Sequence, residues 1–362
     1  MRRILLLLLS CCLVAETSYS QVLQAGFNKQ EYLELLKVCA RHGSPEYAKK
    51  IAEPLHSSFV YRSPEVGLEN QWDLWMRDDK VAIVSLRGTT ASQTSWLANF
   101  YAAMVPASGK LQLAINEDFN YHLADHPKAA VHVGWLVSMA YLSKDILPKI
   151  DSLYHAGIRD ILVMGHSQGG AIAYLLTSHL YNLQAKKRLA ADIRIKTYCS
   201  AGPKPGNLYY AHEYEAKTQA GWAYNVVNSA DWVPETPVSI QTLHDFNKTN
   251  AFAVAPDLFK KQKFPVNLVG KYVFNRLSKP TIKAQRKYEK YLGRMTSKAV
   301  TKHLSGFKAP AYVHSNDYVR TGNQIVLLAD ARYYKIFRDN TENVFVHHLF
   351  EPYLYLTDKL PD

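Results

Sequence analysis

Apolar positions along the chain follow two rhythms. Short, β-branched runs occur in "KVAIVSLRG" (Val81 to Leu86), "RDILVMG" (Arg159 to Gly165), "DIRIKTYCSAG" and "WAYNVVN". Such runs predict buried strands. Between them the spacing changes to that of helices. "KQEYLELLKVCARHG" ends at Gly43, "WLVSMAYLSKDILPKIDSLYHAG" ends at Gly157, and "GGAIAYLLTSHLYNLQ" and "NLYYAHEYEAKT" follow the second and third strands. Alternating strands and helices predict the α/β class, with a mostly parallel central sheet covered by helices on both faces. Residues 97–130 are mixed and turn-rich. From about 247 to 308 the alternation stops, and a basic, tyrosine-rich, helical stretch broken by Pro265 and Pro280 intervenes. "NQIVLLAD" and "ARYYKIF" then predict two C-terminal strands forming a hairpin. No internal repeat or linker divides the chain.

The first twenty residues stand apart. Arg2 and Arg3 precede an apolar run from Ile4 to Ala15, and Ser18-Tyr19-Ser20 before Gln21 has the form of a signal-peptidase site. This predicts a signal peptide over 1–20, one domain over 21–362, and a secreted or periplasmic mature chain. The run is short for a membrane span. Two alternatives are an uncleaved anchor and a lipoprotein signal, the latter because Leu8-Leu9-Ser10-Cys11 has lipobox form. The remaining cysteines, Cys39 and Cys199, are read either as a pair or as two separate buried thiols. No histidine or cysteine cluster has metal-ligand spacing, so neither metal nor cofactor is expected.

The net charge of +12 is concentrated. Residues 257–303 hold thirteen Lys or Arg against two acids, Asp257 and Glu289. Such a block suits contact with an anionic membrane or polymer, although charge runs often only face water. No nucleic-acid motif accompanies it, and no nucleic-acid partner is expected.

Candidate chemistry begins at Gly165-His166-Ser167-Gln168-Gly169, a Gly-x-Ser-x-Gly between strand and helix. This is the nucleophile-elbow pattern, which exposes a serine at the tip of a sharp turn. A serine nucleophile needs a histidine base, an acid to orient that base, and donors for the oxyanion. Downstream of Ser167, Asp231 follows the strand in "YNVVNSADWVPETP", with Glu235 and Asp317 as rival acids. The candidate histidines, those after Asp231, are His244, His303, His314, His347 and His348, and spacing alone does not choose among them. One oxyanion donor is the backbone N–H of Gln168, and Thr89 in "VSLRGTTASQTSW" is a candidate for the other.

In this order, "VAIVSLRGT", "VHVGW", "ILVMGHSQGGAIAYLL", "PKPGN", "VVNSADWVPETP" and "HLFEPYL" resemble the class 3 lipases, the family of fungal-type triacylglycerol lipases. The resemblance implies an α/β-hydrolase fold. It implies Ser167 as nucleophile, Asp231 as orienting acid, His348 as base with His347 as runner-up, and Thr89 and Gln168 at the oxyanion hole. His132 falls in a segment where the family's histidine is mostly structural. A lid is implied over roughly Thr94 to Gly109. The separation of Asp231 from His348 exceeds that of compact members, the surplus being the basic insertion at 247–308.

The function expected is hydrolysis of lipid carboxylic esters, without cofactor, by an exported enzyme. The alternatives are another acyl-transfer enzyme, such as a phospholipase or feruloyl-type esterase, and a non-catalytic binding protein on an inert hydrolase fold.

Overall fold

The computed structural model describes residues 22–361; the expected signal peptide, including Arg2, Arg3 and Cys11, lies outside the described residues. Seven strands form the central sheet: β1 Ser57–Arg62, β2 Trp72–Arg77, β3 Ala82–Leu86, β4 Asp160–His166, β5 Arg194–Ser200, β6 Ala223–Asn228 and β7 Asn323–Leu327. They lie side by side in chain order. β1 to β3 pair antiparallel, and β3 to β7 pair parallel.

The parallel strands are apolar on both faces because both faces are covered. In β3, Ala82, Val84 and Leu86 point into one core and Ile83 into the other. In β4, Ile161 and Val163 alternate with Leu162 and Met164 in the same way. The first core lies under helices later in the chain than α1 (Lys29–Ala40) and α2 (Gln93–Phe100), namely α3 (Val133–His155), α4 (Gln168–Ala185) and α5 (Leu208–Thr218). The second lies under α1 together with a C-terminal helix, Phe350–Asp358. The expected α/β sheet covered on both faces is therefore present.

The turn-rich region is more ordered than its sequence predicts. Met104–Pro106, Ala130–His132, Gly206–Asn207 and Tyr318–Val319 form a second, four-stranded antiparallel sheet. Ser108–Ala114 and Glu117–His122 form a separate ribbon. This changes the expected lid. From Asn99 onward the segment is tied down: Gly134 N–H donates to the Tyr101 carbonyl at 2.9 Å and Val133 N–H to that of Ala103 at 3.1 Å. Of the expected lid, α2 precedes these ties, Met104–Pro106 lies in the second sheet, and Ser108 and Gly109 lie in the ribbon.

The insertion is helical, as expected: α6 Ala251–Lys260, α7 Val266–Tyr288, a π-helical segment Glu289–Met295, and α8 Thr296–His303. The expected C-terminal hairpin is not formed. "NQIVLLAD" supplies β7, which pairs parallel with β6, but "ARYYKIF" is helix α9, Ala331–Ile336. Asp330 caps that helix by accepting from Tyr333 N–H at 2.7 Å. Tyr333 and Phe337, one turn apart, pack ring to ring at 5.1 Å. A side-chain cap with such spacing favours helix over a β-prone composition. The last helix, Phe350–Asp358, is α10.

Candidate active site

Ser167 joins β4 to α4 with φ 62° and ψ −129°. This left-handed region is costly for a residue with a side chain and persists only where its surroundings enforce it. Here the enforcement is close packing. A Cβ on Gly165 would lie 2.1 Å from the Gly169 carbonyl carbon, and one on Gly169 would lie 2.3 Å from the Leu86 oxygen. The glycines let β3, β4 and α4 meet, and the serine is left at the tip. Ser167 N–H donates to the Ser200 carbonyl at 3.0 Å, which ties the elbow to β5.

Asp231 sits three residues beyond β6 and is buried. Its Oδ1 accepts from Val233 N–H at 3.0 Å, and its Oδ2 accepts from Tyr353 Oη at 2.8 Å. His348, just before α10, presents Nδ1 to that same Oδ2 at 2.6 Å. A proton on Nδ1 donated to the carboxylate leaves Nε2 as the lone-pair nitrogen. Nε2 is buried and has no hydrogen-bond partner. Ser167 and His348 line the same cavity, of about 620 Å³, with Thr89 and Gln168.

The rival residues lie elsewhere. His347 faces away, with Nδ1 2.7 Å from Tyr333 Oη and Nε2 3.0 Å from Asp339. Glu235 pairs with Arg320. Asp317 accepts from Ser239 at 3.2 Å and Gln241 at 3.1 Å, and its burial raises its carboxyl above the usual range. His314 meets Glu289 at 2.6 Å, and the His303 ring lies 3.5 Å from Thr94 Oγ1. The His244 carbonyl receives Lys128 Nζ at 2.9 Å.

Thr89 is engaged in both directions. Its hydroxyl donates to Gln168 Oε1 at 2.9 Å and accepts from Asn99 Nδ2 at 2.8 Å. Asn99 is fixed in turn by Trp135 Nε1 on its Oδ1 at 3.0 Å, and its carbonyl lies 3.2 Å from His132 Nε2. His132 also caps α3 and stacks on Trp135 with centroids 3.6 Å apart. Burial lowers its pKa to about 3, so it is neutral and structural. Gln168 opens α4, so its N–H has no acceptor within the helix.

Sequence reasoning passed over three supporting residues. Tyr353, one turn into α10, is a second donor to Asp231. Asn99 holds the Thr89 hydroxyl. His166, the variable residue of the elbow, places Nε2 2.7 Å from the His348 carbonyl and Nδ1 3.0 Å from Ser200 Oγ. Burial holds His166 well below its usual pKa, so its Nε2–H donates as neutral imidazole. Tyr353 stood inside the quoted "HLFEPYL", and no spacing rule marks the other two.

Most of the remaining cavity wall is apolar: Trp96 and Phe100 from α2, Trp135 from α3, Trp232, and Phe345, with Tyr288 and Leu292 from the insertion. Cys39 and Cys199 are free and buried, and burial pushes the Cys39 thiol up to about 12. Among the described residues no His, Cys, Asp and Glu group could hold a metal ion.

The family model for lipase (class 3) matches residues 83–240, which include Thr89, the elbow and Asp231. Over this segment, less than half of the chain, the sequence matches the class 3 lipase family. It is thus a serine ester hydrolase of lipase type. Among solved structures it is similar to the lipase from Rhizopus microsporus var. chinensis, at 22% identity over 58% of this chain and 69% of that one, with a TM-score of 0.42. Lipase II from Rhizopus niveus matches at 22% identity over 59% and 77%, with a TM-score of 0.42. The Rhizomucor miehei triacylglyceride lipase matches at 19% over 59% and 77%, also at 0.42. A search of curated proteins returned no match.

Proposed function

We propose that this lipase-family chain is an exported hydrolase of lipid carboxylic esters, with Ser167, His348 and Asp231 as its triad. Ser167 Oγ attacks the ester carbonyl as its proton passes to His348 Nε2. Asp231 holds the imidazole and stabilises the imidazolium. The oxyanion is met by the Gln168 N–H and by Thr89, donors that contribute on the order of 3 kcal/mol each. His348 returns the proton to the leaving alcohol. Water then attacks the acyl-enzyme through the same base, and the freed acid restores Ser167. Export is supported by the charge-then-apolar pattern of residues 1–20.

The observation that carries this reading is the pairing of His348 with Asp231, its free Nε2 buried in a cavity whose wall is largely aromatic and aliphatic. A wall of that kind suits an acyl chain better than a polar acid component. The test is hydrolysis of p-nitrophenyl esters of increasing chain length, with labelling by a serine-directed phosphonate. Wild type is expected to label at Ser167 and to favour the longer acyl chains, and Ser167→Ala to do neither. An unlabelled wild type would turn the reading to a binding protein on an inert fold. Activity confined to the shortest ester would turn it to a general esterase.

A further inference from the structure

The insertion contains an element most of whose apolar residues remain exposed. Helices α6 and α7 form a hairpin closed by Gly270, where a Cβ would lie 2.5 Å from Phe259, and by the Phe259–Phe274 ring contact at 6.3 Å. That contact, and one from Phe252 to Phe246 at 5.5 Å, consume little of the hairpin's apolar surface. No residue of α6 is buried, and in α7 only Gln285 is. Phe264 is 79% exposed, Leu277 71% and Leu268 63%, and Phe252, Val269 and Tyr272 are also more than half exposed. Soluble chains do not leave a patch of this kind in water without an occupant for it.

Charge names the occupant. Beyond the apolar part, α7 and the π segment carry Lys279, Lys283, Arg286, Lys287, Lys290 and Arg294 along one groove. Among these six only Arg294 has an acidic partner, Glu289 at 3.6 Å. A second copy of this chain would oppose like charges. An anionic polymer would neutralise the cations but offer nothing to Phe264, Leu268 and Leu277. An anionic phospholipid bilayer satisfies both, with acyl chains for the apolar tip and headgroups for the cations. Among the described residues no helix is long and apolar enough to cross a membrane, so the element would lie in the interface.

The same helix reaches the site. Tyr288 ends α7 and Leu292 lies in the π segment, and both line the cavity that holds Ser167. The Leu292 carbonyl accepts from Ala103 N–H at 3.2 Å, so this end is anchored to the body. Leu277 and Tyr288 are about 17 Å apart at roughly 1.5 Å of helical rise per residue.

We propose that the α6–α7 hairpin inserts its apolar tip into the interface of an anionic phospholipid bilayer, its cationic groove resting on the headgroups, and so sets the acyl cavity beside the lipid. The consequence for lipid hydrolysis rests on the reading of the site given above; the binding itself does not.

The experiment separates the two. Partitioning onto phosphatidylcholine vesicles, with and without phosphatidylglycerol, is measured with Ser167→Ala so that no lipid is consumed. Hydrolysis of p-nitrophenyl butyrate by chains with Ser167 intact is measured separately. Phosphatidylglycerol is expected to strengthen partitioning about tenfold or more, and salt to weaken it. Combined Phe264→Ser, Leu268→Ser and Leu277→Ser is expected to weaken it about tenfold or more with butyrate hydrolysis intact, which also shows that the variant folds. Combined Lys283→Gln, Lys287→Gln and Lys290→Gln is expected to remove the preference for phosphatidylglycerol. The proposal is overturned if neither vesicle binds the chain, or if the serine variant binds as well as its parent. It is equally overturned by a dimer that the serine variant dissolves, or by retention on a sulfated polysaccharide that the anionic vesicles do not compete. Butyrate hydrolysis absent from a vesicle-binding wild type would sink the triad and leave the hairpin standing.

Discussion

Tyr353 Oη donates to Asp231 Oδ2 at 2.8 Å, the same oxygen that lies 2.6 Å from His348 Nδ1. Asp231 is buried, and the orienting role proposed for it depends on a carboxylate held in place. Three donors serve it, from Val233 N–H, Tyr353 and His348. The tyrosine oxygen also accepts from Asn228 N–H at 3.1 Å, which fixes α10 to the end of β6. A hydrogen bond to a charged group contributes about 1.5–3 kcal/mol. Tyr353→Phe is therefore expected to lower kcat about tenfold or more, with KM unchanged, because no substrate contact is lost. A kcat equal to wild type would show that Val233 and His348 hold the acid without help.

The adjacent histidines are expected to separate completely in function. His348→Gln removes the proposed base and should cost about 10⁴-fold or more in kcat, as triad substitutions do. His347→Gln keeps a hydrogen-bonding group near Tyr333 and Asp339 and should change kcat less than about threefold, because His347 does not line the cavity. Its effect should show in melting temperature instead, since the Tyr333–His347 bond at 2.7 Å is buried. Steady-state kinetics on one soluble ester decides between them.

This pair marks where sequence reading stops. Ser167 was legible because a nucleophile elbow forces glycines at fixed offsets, a local and steric requirement. Asp231 was legible less sharply, as an acid after a strand. His347 and His348 differ by one residue in a loop, and which of them turns inward depends on contacts with Asp339 and Tyr333 that no spacing encodes. Helix α9 was read as a strand because Tyr333, Tyr334 and Ile336 have high β-propensity, while the deciding cap, Asp330, lies just outside the run. The lid was read too long because the residues after Asn99 are apolar, as a lid's would be, but pair into a second sheet with partners such as Val131 that follow later in the chain. The basic insertion was legible in composition and helicity, and its exposed apolar tip was not. Helical spacing records a stripe without recording whether anything covers it.

Thr89 should matter through its hydroxyl proton. That proton now goes to Gln168 Oε1, a neutral acceptor. A developing oxyanion is a charged acceptor and a stronger one, so the proton is expected to swing toward it in the transition state. Thr89→Val removes it and should lower kcat about 10²-fold with little change in KM, whereas Thr89→Ser should recover most of the rate. Equal rates for the valine and serine variants would assign the oxyanion to backbone donors alone.

Gly169 is expected to be irreplaceable for a reason separate from chemistry. A Cβ there would lie 2.3 Å from the Leu86 oxygen, between two backbones that cannot both retreat. Gly169→Ala should cost about 3 kcal/mol or more, at the upper end of overpacking penalties. Chemical denaturation with Ser167→Ala as the parent reads this directly. An unchanged midpoint would mean that the elbow is looser than its packing indicates.

Acid should destabilise the fold through buried neutral imidazoles. His132 and His179 are lowered from 6.5 to about 3 and about 4, and His166 is held well below 6.5, in each case chiefly by burial. Unfolded, these rings take up a proton near pH 6.5; folded, they do not. The unfolded state therefore binds more protons below that pH, and stability present above 6.5 is lost as pH falls toward the folded values. Each ring contributes a slope of up to about 1.4 kcal/mol per pH unit over that window. Carboxylates add their own losses at lower pH, so the diagnostic quantity is a difference between two chains. His179 packs against Phe119 with centroids 5.3 Å apart, and its Nδ1 has no partner, so His179→Leu removes a titrating ring without breaking a bond to that nitrogen. Between pH 6 and 4.5 the leucine chain should lose stability less steeply than its parent, by about 1 kcal/mol per unit. Parallel curves from denaturant titrations across that range would mean that His179 is protonated in the folded state and that its burial does not hold it neutral.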